Sequence, residues 1–227
     1  MQISALTYIN LDSRKDKLQN VKSQLEHCPF YTFKTSGVKI SNYDQYKLTP
    51  YLATQHESKI KRQIGCALAH LHALEGLIGL NNDPNDYSMI IEDDVSIHPN
   101  FWQLVSCLDA SQYIKSDLIF FDTHRKASHY GIFDSFTTDK SISRYMPAKS
   151  NNWCNKIEDK NRVYFVGAHC YCVKNSFMQY AHDTLKQCLI GAIDLMYTYF
   201  FNTYHVATGL VYQNRSIYSS DIDIIIK

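Results

Sequence analysis

Short apolar runs and helical repeats alternate along the 227-residue chain. Residues Ile3 to Asn10 alternate apolar and polar side chains, while Tyr87 to Ile91 and Leu118 to Phe121 are continuous apolar runs; all three are predicted strands. Apolar residues recur every three or four positions from Ile64 to Ile78, which predicts an amphipathic helix. Strands that alternate with helices favour an α/β fold with a mostly parallel central sheet.

The same alternation continues through the rest of the chain and predicts one domain over residues 1–227. Asp12 or Ser13 is the predicted start of a helix that ends near Glu26, because these residue types cap helix N-termini. Polar residues dominate from Thr123 to Asn161, and a loop of that length inside a compact domain is usually functional or mobile. The remaining predicted elements are strands at 31–35, 163–173 and 206–212, helices at 99–108, 175–188 and 192–202, and a loop at 42–57.

Composition narrows the classes of function. Charged residues make up 20% of the chain and the formal net charge is +1, so no nucleic-acid partner is expected. The basic cluster Lys59, Lys61 and Arg62 is interpreted as a solvated helix start. Seven cysteines, an odd number at irregular spacing, favour free thiols in a reducing compartment. With neither a secretion signal nor an apolar stretch of about 18 residues, the expected location is cytoplasmic, with peripheral association at the inner face of the membrane left open.

An acidic triplet, Glu92-Asp93-Asp94, directly follows the apolar run at 87–91. Ligands of α/β sheets bind at the carboxyl ends of strands, and three adjacent carboxylates repel one another unless a cation lies between them. Oxygen ligands suit Mg²⁺ or Mn²⁺, and such an ion could help a nucleotide diphosphate to depart. If the chain stays extended, Asp94 and Glu92 share one face and Asp93 points away. The alternative interpretation of the triplet is a solvated turn at the end of a strand.

Five motifs resemble those of glycosyltransferase family 25, which includes bacterial lipooligosaccharide galactosyltransferases and relatives of the collagen galactosyltransferases. The segment Tyr8-Ile-Asn-Leu-Asp-Ser-Arg14 is similar to the family's opening strand, x-I-N-L-x-x-R. Ile64-Gly65-Cys66-Ala-Leu-Ala-His70 resembles its I-G-C-x-x-S-H helix, and Met89-Ile-Ile-Glu92-Asp93-Asp94-Val resembles its I-L-E-D-D-V motif. The later motifs are Val166-Gly167-Ala-His169-Cys-Tyr171, similar to G-T-x-A-Y, and Leu210-Val-Tyr-Gln213 through Ser220-Asp221-Ile222, similar to V-x-Q…S-D-I.

This resemblance implies a GT-A-type, Rossmann-like fold, a nucleotide-sugar donor and an inverting transfer. UDP-galactose is the expected donor, and the expected acceptor is a glycan or glycolipid such as lipooligosaccharide. An inverting transfer needs a general base to deprotonate the acceptor hydroxyl; Asp194 is assigned this role, with Asp122 as the alternative. His169 is assigned to the acceptor or sugar pocket. The predicted metal ligands are Asp94 and Asp221, and the predicted donor-binding residues are Asn10, Arg14, Gly65, His70, Glu92, Asp93 and Gln213.

A structural role is the alternative for several of these residues. Arg14 is equally interpreted as an exposed helix arginine, His70 as a hydrogen-bonded structural histidine, and Asp194 as a helix N-cap. Gly65 is expected to allow close backbone approach where its helix begins. Two rival functions also stand beside transfer: a non-catalytic nucleotide-sugar-binding module without a working base, and a metal-dependent phosphodiesterase or nucleotidyltransferase that uses the same carboxylates.

Overall fold

The computed structural model describes residues 1–108, 117–121, 142–145, 167–188, 190–201, 203–206 and 210–213. Of the predicted loop at 123–161, the strand at 142–145 falls within these ranges and the rest does not. The predicted metal ligand Asp221 and the alternative base Asp122 lie outside the described residues. The other predicted site residues are all described.

A central sheet organises the fold. The described strands are β1 (Ile3–Asn10), β2 (Tyr31–Ser36), β3 (Tyr87–Glu92), β4 (Val95–Ile97), β5 (Leu118–Phe121), β6 (Ile142–Tyr145), β7 (Cys170–Lys174), β8 (Thr203–Val206) and β9 (Val211–Gln213). Seven of them form one sheet in the order β2-β1-β3-β7-β5-β8-β6, and β4 pairs antiparallel with β9. Strands β1, β2, β3, β5 and β8 run in one direction, while β6 and β7 run against them. The predicted α/β fold with a mostly parallel sheet is therefore confirmed.

Helices cover both faces of this sheet. They are α1 (Lys15–Leu25), α2 (Pro50–Ala53), α3 (Glu57–Ile78), α4 (Asn100–Cys107), α5 (Met178–Gln187) and α6 (Ile193–Phe200), and a 3₁₀ turn at Asn175–Phe177 precedes α5. Along β3, Met89 and Ile91 pack in the apolar cluster that contains α1 and α4, whereas Ile90 packs in the cluster that contains α3, α5 and α6. Because both faces are covered, this strand is a continuous apolar run in the sequence. Burial of each such side chain contributes about 1.5–3 kcal/mol.

Helix α3 begins earlier than its apolar repeat predicts. His56 is its N-cap, and the His56 side chain accepts a hydrogen bond from the backbone N–H of Ser58. The first two turns are largely polar, so the apolar periodicity is visible only from Ile64 onward. Gly65 therefore lies inside the helix, and the prediction that it stands where the helix begins is wrong. None of the helices in the described ranges combines the length and the apolar character that crossing a bilayer requires.

The predicted strand at 206–212 is wrong, because this region contributes to two different sheets. Strand β8 ends at Val206 and pairs parallel with β5 in the central sheet. Strand β9 begins at Val211 and pairs with β4, directly after the acidic triplet. Gly209 between β8 and β9 is the one local signal of an irregularity, and an isolated glycine does not show that the strand partner changes. This change brings Gln213 beside Asp94, as the site geometry shows.

Candidate active site

The carboxyl ends of β1 and β3 form the bottom of a cleft. The strands are parallel neighbours, with Ile9 in register with Glu92, which brings Asn10 to the acidic triplet across 83 residues of sequence. The sheet order reverses here, since β2 lies on one side of β1 and β3 on the other, and ligands of α/β folds bind at such points. The cleft has a volume of 430 Å³, and its walls are the ends of β1 and β3, residues 37–40 after β2, and one side of α3.

Lys17 faces the triplet from α1, and sequence reasoning missed it. Its side chain is 2% exposed, and its Nζ lies 3.3 Å from Oδ1 of Asp93 and 3.9 Å from Oδ2 of Asp94. The available signal was its spacing, because Lys17, Val21 and Leu25 are buried along one side of the helix and a lysine on an apolar stripe is rarely buried without a partner. One ammonium group therefore contacts a site that holds three carboxylates.

Both carboxylate oxygens of Asp93 have a protein partner. Asn10 donates a hydrogen bond from Nδ2 to Oδ2 of Asp93 at 2.7 Å, and Lys17 pairs with the other oxygen. Asn10 also donates from the same amide to the backbone carbonyl of Arg14 at 3.1 Å. Burial raises the pKa of Asp93, although Lys17 and Asn10 oppose that shift. These contacts make Asp93 a link between the two strand ends.

Asp94 is 4% exposed, and its two carboxylate oxygens have different surroundings. Gln213 donates from Nε2 to Oδ2 of Asp94 at 2.8 Å. Within the described part of the chain, nothing hydrogen-bonds the buried Oδ1 of Asp94 or the buried Oδ1 of Asn10. Burial, followed by the charge of Glu92, raises the pKa of Asp94 to about 7 despite Lys17 and Gln213. A further positive charge near Asp94 would lower this pKa and favour the ionised form of all three carboxylates.

Glu92 points to α3, on the other side of the cleft. Its Oε1 lies 3.3 Å from Nε2 of His70 and accepts from the thiol of Cys66 at 3.9 Å. Burial raises the pKa of Glu92, but the hydrogen bond and charge of His70, with the charges of His169 and Lys17, outweigh it and leave this pKa below its ordinary value. Burial, followed by the charge of Glu92, holds the pKa of the Cys66 thiol well above its ordinary range.

The predicted orientation of the triplet is wrong. On an extended chain Asp93 would point away from Glu92 and Asp94, but strand pairing ends at Glu92 and residues 93–94 form a turn before β4. The turn brings Asp93 and Asp94 together at Lys17 and leaves Glu92 on the α3 side. The alternative interpretation, a solvated turn, is right about the turn but wrong about solvation, because Asp93 and Asp94 are buried.

Asp194 and His169 lie near the triplet but are not among the residues that line the cleft. Asp194 accepts a hydrogen bond at Oδ2 from the backbone N–H of Gly167 at 2.8 Å. It stands in the first turn of α6 after the N-cap Ala192 and is not the cap. His169 is fully buried, its backbone carbonyl accepts from the N–H of Glu92 at 2.9 Å, and its charge lowers the pKa of Glu92.

Arg14 and Gly65 are both predicted to bind the donor, but only Gly65 is among the residues that line the cleft. Arg14 forms an ion pair with Asp16 at 2.8 Å and does not line the cleft. A Cβ on Gly65 would lie 2.3 Å from the carbonyl oxygen of Val38, so the glycine lets α3 pack against the segment after β2. Gly65 thus shapes a cleft wall through the protein's own backbone.

Basic side chains on the cleft correct another expectation. Lys61 and Arg62, interpreted as part of a solvated helix start, both line the cleft together with Lys39. Lys61 is also paired with Glu57, one turn earlier in α3, at 2.6 Å. Three cationic side chains therefore line the same cleft as the acidic triplet, an arrangement suited to an anionic ligand that brings its own cation.

Comparison with known proteins gives the family of the chain. The sequence profile of glycosyltransferase family 25 (LPS biosynthesis protein) matches residues 6–197, which include the triplet, both sides of the cleft and Asp194. The chain belongs to glycosyltransferase family 25, as its motifs predict. The matched range ends before Gln213 and Asp221.

The other comparisons add no detail at the level of residues. The crystal structure of a glycosyltransferase involved in the glycosylation of the major capsid of PBCV-1 aligns with 82% of this chain and 66% of its own, at 8% identity and a TM-score of 0.41. This chain thus spans just under two thirds of that protein. A search of curated proteins gives no match.

Proposed function

We propose that the protein is an inverting, metal-dependent hexosyltransferase that moves galactose from UDP-galactose to a glycan acceptor such as lipooligosaccharide. The observation that carries the metal-dependent part is a pair of buried oxygens, Oδ1 of Asp94 and Oδ1 of Asn10, that have no hydrogen-bond donor among the described residues. They lie beside three carboxylates and the ammonium group of Lys17. Buried acceptors in such a site are satisfied by a cation or a donor-rich ligand.

The donor set at the bottom of the cleft suits Mn²⁺ or Mg²⁺, because all its free ligand atoms are oxygens. Asp94 would hold the ion through Oδ1, with Glu92 within reach from the opposite side and Asp221 proposed as a further ligand. When bound, the ion would neutralise the diphosphate leaving group. Lys39, Lys61 and Arg62, which line the cleft, are the proposed contacts for the donor phosphates.

Asp194 is the proposed general base. During transfer the acceptor oxygen forms a bond to C1 of the sugar, its proton passes to the Asp194 carboxylate, and the bond from C1 to the diphosphate oxygen breaks with its electron pair leaving on UDP. The hydrogen bond from Gly167 fixes the orientation of this carboxylate. His169, on the same short segment before β7, is proposed to contact the sugar or acceptor.

The proposed location is the cytoplasm, with peripheral association at the inner face of the membrane where a lipid-linked acceptor would be found. The supporting observation is the state of the cysteines: the six that the structure describes are all free thiols. Free thiols of this number are typical of a reducing compartment.

Product analysis tests the proposed function against its two rivals. The purified protein is incubated with a panel of nucleotide sugars, a lipooligosaccharide acceptor and Mn²⁺. The products are identified by mass spectrometry, and the anomeric configuration of any glycoside is determined by NMR. Transfer predicts a glycoside with an inverted anomeric centre, and UDP. A phosphodiesterase or nucleotidyltransferase would release or transfer a nucleotidyl group instead. Saturable donor binding with no turnover on any sugar or acceptor would identify a binding module and contradict the proposal.

A further inference from the structure

A second potential ligand cluster lies on the α3 side of the cleft, apart from the oxygens of Asp94. Cys66 and His70 are four residues apart on α3, so their side chains lie one turn above the other on the same face. Glu92 reaches them from the end of β3. The ligand atoms of these three side chains all lie within 4.8 Å of one another.

The spacing of these atoms fits one small ion. Nε2 of His70 lies 3.3 Å from Oε1 of Glu92, and Sγ of Cys66 lies 3.9 Å from the same oxygen. Ligand bonds of about 2.0–2.3 Å at tetrahedral angles separate neighbouring ligand atoms by roughly 3.3–3.8 Å. The two separations from Glu92 are therefore close to those of ligand atoms around one ion, and the third, between Cys66 and His70, is at most 4.8 Å.

The imidazole of His70 is already held in a ligating orientation. Its Nδ1 is hydrogen-bonded to the hydroxyl of Tyr171 at 2.8 Å, and that hydroxyl is bonded to Tyr197 at 2.8 Å. Both tyrosines are fully buried. A histidine that binds a metal through one nitrogen is commonly fixed by a hydrogen bond at the other, which is what this pair provides for Nε2.

We propose that Cys66, His70 and Glu92 form a zinc-binding site on the wall of the cleft. Mixed sulfur, nitrogen and oxygen ligands favour Zn²⁺ over Mg²⁺ or Mn²⁺. All three residues line the cleft, so the fourth ligand position is open to water or to a ligand atom. Binding releases a proton from the Cys66 thiol, because the thiolate is the ligand.

Cobalt absorption measures this site directly, without any transfer assay. Co²⁺ added to the metal-free protein should give the intense visible bands of a tetrahedral ion and a thiolate-to-metal band in the near ultraviolet, and one equivalent of Zn²⁺ should remove both. Cys66→Ser should abolish the thiolate band and weaken Zn²⁺ binding by more than about 100-fold, since loss of an outer partner alone costs 10–100-fold. Cys28→Ser, a half-buried thiol outside the cleft, is the matched control and should change neither.

Two further measurements keep the proposal testable if Cys66→Ser fails to fold. Tyr171→Phe keeps the ring and removes the hydroxyl bonded to His70, and it should weaken Zn²⁺ binding by about tenfold or more. In the unaltered chain, Zn²⁺ should slow alkylation of Cys66, identified by peptide mass spectrometry, while Cys107 reacts at an unchanged rate. Octahedral cobalt spectra without a thiolate band, or alkylation of Cys66 that Zn²⁺ leaves unchanged, would overturn the proposal.

Zinc at this site has one consequence that rests on the proposed function. Zn²⁺ held by Glu92 would draw this carboxylate to the α3 side and place a second cation in the cleft, so Zn²⁺ should inhibit transfer in competition with Mn²⁺. The concentration of Zn²⁺ that halves turnover should rise at least tenfold in Cys66→Ser. Spectroscopic binding of Zn²⁺ without any transferase activity would contradict the proposed function and leave the zinc site intact. Transfer that responds equally to Zn²⁺ in both proteins would contradict the shared ligand.

Discussion

The two sides of the cleft carry different chemistry. On one side, which we call the carboxylate wall, Asp93 and Asp94 face Lys17, and every contact is between oxygen and nitrogen of charged or amide groups. On the other side, the histidine wall, His70 and Cys66 meet Glu92 against buried tyrosines. The acidic triplet contributes carboxylates to both walls, because β3 ends at Glu92 and the chain turns at Asp93 and Asp94. Three carboxylates that are adjacent in the sequence therefore belong to two different groups of side chains in the structure.

The comparison also shows how each wall manages buried charge. The carboxylate wall relies on one ammonium group for two aspartates, and burial still raises the pKa of Asp94 to about 7. On the histidine wall, burial is opposed by the hydrogen bond and charge of His70 together with the charges of His169 and Lys17, and their sum lowers the pKa of Glu92. Among the described residues, the carboxylate wall is thus the side where the positive charge present does not offset burial. Variants that alter it should have larger effects than variants of the surrounding packing.

The largest expected effect is that of Asp94→Ala. Transfer should fall by at least about 10³-fold, since a catalytic metal supplies several kcal/mol of transition-state stabilisation and each 1.36 kcal/mol is tenfold in rate. The fold should survive, because one of three mutually repelling carboxylates is removed. Turnover with Mn²⁺ and a circular dichroism melt are the measurements. Asp44→Ala, an exposed aspartate, is the control, and near-normal turnover in Asp94→Ala would remove the proposed metal site.

Asp194→Asn comes next and tests the base, which belongs to neither wall. The amide oxygen can keep the hydrogen bond from Gly167, so the local backbone should hold while proton acceptance is lost. The turnover number should fall by about 10²–10⁴-fold, with a much smaller change in donor affinity. Steady-state kinetics and donor titration separate the two. Equal losses in turnover number and donor affinity would show that Asp194 positions the donor instead of accepting the proton. Asp183→Asn, at an exposed position of α5, is the control variant.

Lys17→Met removes the counter-charge of the carboxylate wall. Breaking a buried ion pair by deleting one partner costs about 3–5 kcal/mol, since the remaining charges stay buried. The free energy of unfolding in urea without metal should fall by that order, and Mn²⁺ should restore part of it. Lys22→Met, exposed on the same helix, should change stability by less than about 0.5 kcal/mol. Equal stability of the two variants would show that Lys17 is not needed to bury the aspartates.

The smallest effect is expected for Gly65→Ala in α3. The added methyl group meets the Val38 carbonyl at 2.3 Å and should destabilise the fold by about 1–3 kcal/mol through overpacking. Gly79→Ala is the control, because its nearest contacts would lie at 3.5 Å and its backbone is helical. Thermal melts of both variants give the difference. A melting temperature for Gly65→Ala equal to that of Gly79→Ala would mean that α3 can move away from the segment after β2.

Much of the fold can be predicted from local sequence patterns, and the wrong predictions have identifiable physical causes. The strand at 87–91 and the helix around 64–78 are predicted because burial imposes periodicity on apolar residues. Strand β7 is predicted to exist, but its direction is not, since a fully buried strand has the same apolar run in either orientation. The start of α3 is missed because two polar turns precede its buried face. Strand β9 is missed because a change of sheet leaves no local trace.

By itself, the sequence determined the class of fold, the glycosyltransferase family and the position of a cluster of carboxylates at a strand end. These depend on neighbours along the chain, where alternation, helical spacing and short motifs are visible. Only the tertiary structure decided that Lys17 is buried against Asp93, that Glu92 belongs with His70, and that Gln213 reaches Asp94. Those contacts join segments tens of residues apart, and their partners are set by sheet register and helix packing, which no local pattern encodes.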